Sequence, residues 1–166
     1  MLERTVANRY IRAVNNGRTR PCRIEVIRER GDYTDVVAKF SGGCDRGVTS
    51  LAIEAICAML AADLNLPIAE PLLVEIDEDF INLVPLKDMK NLLSGSNSIG
   101  FGSAHLPNGY AIWATGTKIP PALVADAVGV LAFDLLIQNI DRKPSNPNCL
   151  TNGKSIGIEE VKRILA

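Results

Sequence analysis

The sequence predicts an α+β fold in two parts. A small antiparallel sheet with one helix comes first, and a partial helical part follows. Three observations predict it. "CRIEVIRE" (Cys22–Glu29) alternates apolar and polar residues, the period of a half-buried strand. "SLAIEAICAMLAADL" runs on from Thr49 or Ser50 with no breaker, as a capped helix does. "PPALVADAVGVLAFDLLIQN" is a second long apolar helix, opened by proline.

The elements follow in order. Tyr10–Val14 is a short strand candidate, and "NNGRTRP" (Asn15–Pro21) turns the chain into the strand Cys22–Glu29. "RGD" turns it again, into a third strand, Tyr33–Phe40. "SGGCDRG" is a loop, the first helix runs to about Leu64, and "NLP" ends it. "AEPLLVEID" and "DFINLVPL" read as two strands joined by the acids Asp77–Asp79. Residues 87–109 are rich in Gly, Ser and Asn and read as a linker or mobile segment. The apolar helix comes next, then the polar loop "QNIDRKPSNPN", then a hairpin with Asn152-Gly153 at its tip. "EEVKRILA" is a helical fragment. The expected divisions are a β-rich lobe (1–86), a connector (87–119) and a partial helical lobe (120–166).

Composition narrows the function. The chain has 166 residues, 47% of them hydrophobic, with a mean hydropathy of +0.12, enough for a sizeable core. A formal net charge of −1 gives no general attraction to nucleic acid. No apolar run reaches the length of a membrane span, and the N-terminus lacks a signal-peptide core. Four scattered cysteines without a CxxC pair, and a single histidine, argue against zinc and for a reduced, cytoplasmic setting. "KFSGGCDRG" lacks the spacing of a Walker phosphate loop. His105 and Trp113 read as structural, and Ser94, Ser96, Ser98 and Ser103 as a polar connector.

The polar loop carries more chemistry than a connector needs. Asp141 and Asn146 stand five residues apart, stiffened by proline. Such a pair can serve one nucleotide: the acid orients an attacking hydroxyl, and the amide oxygen holds the magnesium that neutralises phosphate. Protein kinases use this pairing. An Asx-rich turn bonded to its own backbone is the bland alternative. Lys39 ends the third strand in "VVAK", and Glu54 sits fifteen residues on, among apolar helix neighbours. A carboxylate so placed needs a partner, and Lys39 is the obvious one. Arg142 and Lys143 beside Asp141 are candidates to meet phosphate.

Taken together, these stretches resemble the bacterial HipA-like kinases. The resemblance rests on "NGRTRP" (Asn16–Pro21), "VVAKFSGG", Glu54 with "LNLP" behind it, "AEPLLVEID", "FGS" (Phe101–Ser103) and "FDLLIQNIDRKPSNPNCL". It implies a two-lobed protein-kinase-like fold, ATP with magnesium, and transfer of the γ-phosphoryl group to a hydroxyl of a protein Ser or Thr. It implies Asp141 as catalytic base, Asn146 as a metal ligand, and Lys39 on the phosphates, oriented by Glu54. Asn16, Gly17 and Arg18 would cover the phosphates, and Leu83–Lys87, with Val84 and Leu86, would form the hinge behind the base. The family's metal-binding aspartate falls at Glu159 here, a departure that puts the second metal ligand in doubt. The helical lobe also looks half built, so the helix 120–137 should keep an uncovered face. That predicts a homo-oligomer, a partner chain or a fragment. The rival reading is a non-catalytic, degenerate or shortened module that binds nucleotide or a protein partner. A small-molecule kinase is the third.

Overall fold

The computed structural model describes residues 2–14, 18–106, 108–114, 116–139, 141–143 and 147–158. The architecture is mixed α+β, with four α-helices among these residues. The chain divides into two compact units, Met1–Ala55 with Pro71–His105, and Ile56–Glu70 with Leu106–Ala166.

The first unit is built on a closed five-stranded barrel in the order β1-β2-β3-β5-β4. Its strands are β1 (Glu3–Ala13), β2 (Cys22–Ile27), β3 (Tyr33–Lys39), β4 (Pro71–Glu75) and β5 (Ile99–Ala104). All neighbours are antiparallel except β1 and β4, which close the barrel in parallel. Register sets what faces inward. Cys22 opposes Ala38 and Ile24 opposes Val36, and all four are buried. With Leu72, Val74 and Phe40 they fill the barrel. Lys39 and Val37 have the other parity, so they stand on the outer face.

β1 begins seven residues before the expected Tyr10. Its inward residues are Thr5 and Ala7, neither of which looks like a core residue in sequence. Thr5 is fully buried because its hydroxyl donates to the Leu73 carbonyl at 2.9 Å. The outward side carries the ion pairs Arg4–Glu75 and Arg9–Glu25. Polar residues on both faces hid the period.

"DFINLVPL" is a helix, not a strand: α2 (Glu78–Leu83). The Asp77 carboxylate accepts from the Phe80 N–H at 2.7 Å, and Glu78 and Asp79 occupy the first turn. The acids read as a turn are therefore an N-cap with dipole-matched charges. The presumed linker also folds. It forms α3 (Lys87–Ser94) and then β5, which pairs with both β3 and β4. Phe80, Val84, Met89, Leu92 and Leu93, from α2 and α3 and the link between them, join the barrel's core. Helix α1 (Val48–Asp63) follows β3 as expected.

The second unit contains α4 (Val124–Ile137), entered through a 3₁₀ turn at Pro121–Leu123, and a small sheet of β6 (Ala111–Ile112), β7 (Leu150–Thr151) and β8 (Ile156–Gly157). The expected hairpin is present between β7 and β8. Asn152 Oδ1 accepts from the N–H groups of Lys154 and Ser155, and Gly153 takes the left-handed conformation. Ile158, with no exposure, bridges to Ile68 in parallel. α4 buries Val130, Phe133, Asp134 and Ile137 and leaves Val128, Leu131, Leu135 and Leu136 exposed, the uncovered apolar face the sequence predicts. No helix among the described residues is long and apolar enough to cross a membrane.

Candidate active site

Lys39 is the last residue of β3, on the outer face, and it is only 8% exposed. Its Nζ lies 3.1 and 3.0 Å from the two carboxylate oxygens of Glu54. Glu54 has no exposure at all. A carboxylate among apolar neighbours on α1 is tolerated because the strand lysine reaches it with both oxygens engaged. The pairing expected from sequence is present.

The loop after α4 is held from within. α4 ends at Gln138, in the left-handed conformation (φ 54°). Asn139 then folds back: its Nδ2 donates to Asp134 at 2.8 Å, and its Oδ1 accepts from the Asp141 N–H at 3.2 Å. Arg142 turns inward too. Its guanidinium donates to Asp134 at 2.5 Å and to the carbonyls of Pro147 and Asn148 at 2.9 and 2.6 Å. One arginine thus ties the helix end to the far side of the loop. Of the two residues named as candidates to meet phosphate, Arg142 is engaged within the loop and Lys143 is exposed. Asp134 and Asn139 were not singled out from sequence. The available signal was Asp134 itself, an acid near the end of an apolar helix that needs a partner once buried.

The remaining expected residues fare differently. Asn16, Gly17, Asn146 and Glu159 lie outside the described residues. Arg18 forms an exposed ion pair with Asp45. Val84 is 4% exposed within the barrel core, so the outer face carrying Lys39 is not the one it meets. Leu86 is half exposed and lines a pocket of about 530 Å³ with Arg20 and Met89. The segment 83–87 lies inside the β4–β5 connection, within the first unit. Trp113 lines a second pocket, about 380 Å³, with Val130, Lys143 and Cys149.

A buried strand ammonium already paired to a helix carboxylate suits nucleotide phosphates. No cluster of three metal-ligating side chains occurs among the described residues, and the two expected metal ligands lie outside them.

Comparison with curated proteins and with solved structures returned no match. A family model described as HipA-like kinase matches residues 11–158. That span takes in the Lys39–Glu54 pair and the whole loop from Gln138 to Asn148, and the chain belongs to the HipA-like kinase family.

Proposed function

We propose that the chain is an ATP-dependent phosphotransferase that moves the γ-phosphoryl group of Mg-ATP to a hydroxyl, that of a protein Ser or Thr. Membership of the family gives a kinase-type phosphotransferase at the coarse level. The buried Lys39–Glu54 pair carries the finer reading. Its support is chemical. An ammonium held by two carboxylate oxygens keeps one position, and phosphoryl transfer depends mostly on positioning and charge stabilisation.

In this reading the first unit is the nucleotide-side lobe of a two-lobed kinase-like fold. Lys39 holds the α- and β-phosphates and Glu54 fixes Lys39. Asp141 orients and accepts the proton of the acceptor hydroxyl. Arg142 and Asn139 position Asp141 through Asp134. Bound magnesium would neutralise phosphate charge, with Asn146 and Glu159 as its proposed ligands.

The test is a pair of measurements on wild type and Asp141→Ala. Mg-ATP binding is followed by calorimetry, and transfer by radiolabel incorporation into the protein and a generic Ser/Thr acceptor. Binding in both with transfer only in wild type is expected. Binding without transfer in either would leave a nucleotide-binding module, and no binding at millimolar Mg-ATP would sink the kinase reading.

A further inference from the structure

The pocket beside α3 contains Leu86, which the family resemblance places behind the nucleotide base, yet neither Lys39 nor Glu54 lines it. Its apolar wall is Ala13 at the end of β1, with Val14 and Pro21, and Leu86 and Met89 at the start of α3. Met89 is 3% exposed and belongs to the core cluster that fills the barrel. Lys39 has the opposite parity on β3 and faces the other side of the sheet. No residue of β3 or α1 lines the pocket.

The polar groups of the pocket are Arg20, Lys87 and Asp88. Two cations meet one carboxylate. Arg20 and Asp88 are 4.0 Å apart and both more than half exposed, a loose pair that a better anion can replace. The Lys87 ammonium has no partner among the described residues. Arg20 also sits at φ 50°, a backbone conformation that non-glycine residues rarely adopt and that recurs in ligand clamps. A volume of about 530 Å³ lies within the range of small-molecule sites.

We infer that this pocket binds a small anionic ligand with an apolar body, an organic phosphate or carboxylate, separately from the nucleotide assigned to Lys39. The apolar body rests on Ala13, Leu86 and Met89. The anion takes the Arg20 fork and the Lys87 ammonium, displacing Asp88. Occupancy ties Ala13 and Arg20 to the start of α3.

Met89 offers a local reporter, because the chain has three methionines. Methyl-¹³C methionine spectra are recorded while phenyl phosphate, or benzoate in a parallel series, is added to the whole chain. The Met89 signal is assigned by Met89→Leu. Its shift should saturate, with Met59 unmoved. Phosphate preference shows as a lower midpoint for phenyl phosphate than for benzoate, carboxylate preference as the reverse, and either supports the site. Arg20→Gln and Lys87→Gln, at exposed positions, should each weaken binding by about tenfold or more. Mg-ATP should leave the phenyl phosphate shift in place. The site is overturned if no saturable shift appears with either probe, if both variants bind as wild type does, or if Mg-ATP competes one-for-one with phenyl phosphate. Failure of Mg-ATP to bind at all would count against the kinase reading alone.

Discussion

Glu54 carries a charge with no solvent exposure, and Lys39 is the neighbour that makes it tolerable. Lys39→Ala should lower stability by about 3–5 kcal/mol, because it takes the ammonium from a buried carboxylate. Lys39→Met with Glu54→Leu should restore most of that loss. Urea unfolding of the four members of the cycle measures the coupling, and additive losses would show that the two do not act as a pair. Tyr10 is the converse case. Its hydroxyl is buried with no hydrogen-bond partner among the described residues. Burial, and then nearby Cys22, push its ionisation up. Tyr10→Phe should therefore leave stability unchanged or raise it by about 1 kcal/mol. Burial also pushes the Cys22 thiol from 9.0 to about 12. The folded state keeps a proton there that the unfolded chain has lost, so stability should fall as pH rises from 9.0 toward 12. In Cys22→Ala the fall over that window should be shallower by up to one proton; an unchanged slope would mean that Cys22 is not the group responsible.

Among the elements, β5 and the loop after α4 show most clearly how local sequence and tertiary contact divide the work. "GFGS" looks flexible, yet its glycines are strand residues in close contact. A Cβ on Gly100 would lie 2.6 Å from the Lys39 carbonyl and from the Phe40 ring. A Cβ on Gly102 would lie 2.8 Å from Val74. Gly100→Ala should cost about 1–3 kcal/mol by overpacking and weaken Mg-ATP binding with it, since it pushes on Lys39. A stable variant with unchanged binding would mean that the strand yields freely. In the loop, Arg142→Ala should lower stability by about 3 kcal/mol, because buried Asp134 loses its guanidinium, whereas exposed Lys143→Ala should change it by under about 0.5 kcal/mol. Thermal melts of the two variants compare them directly. Equal effects would show that the Arg142 staple contributes little.

For the whole molecule, nucleotide should stabilise by mass action. At a hundredfold excess over Kd, Mg-ATP should add about 2.7 kcal/mol to the unfolding free energy. Removing magnesium with EDTA should reduce the gain sharply, because the phosphates would then face Lys39 without a metal. A melting temperature indifferent to Mg-ATP would contradict the nucleotide role of the first unit. The melt also tests a consequence of the chain's two-unit organisation. Both units share α1, which crosses their boundary at Ala55–Ile56, so ligand stabilisation should be seen by probes in each.

What the sequence determined by itself was whatever local chemistry writes plainly. Period-two alternation placed β2, the turn after it placed β3, a long breaker-free run placed α1, an apolar run opened by proline placed α4, and Asn152-Gly153 placed the hairpin. The Lys39–Glu54 pair was legible because a lone acid on an apolar helix has few ways to be buried. The tertiary structure alone decided the rest. β1 starts at Glu3 because barrel closure pairs Glu3–Val6 in parallel with β4, which lets Thr5 be core by bonding the Leu73 carbonyl. The segment 87–104 became a helix and a strand flanked on both sides because close strand contacts demand glycine, and glycine leaves no pattern to read. Arg142 turned inward because Asp134, eight residues earlier, lies at the same end of α4 once the helix is packed. Which face of β3 looks toward α2 and α3, and therefore that Val84 and Lys39 lie on opposite sides, depends on the register of five strands at once. No short window of sequence contains that information.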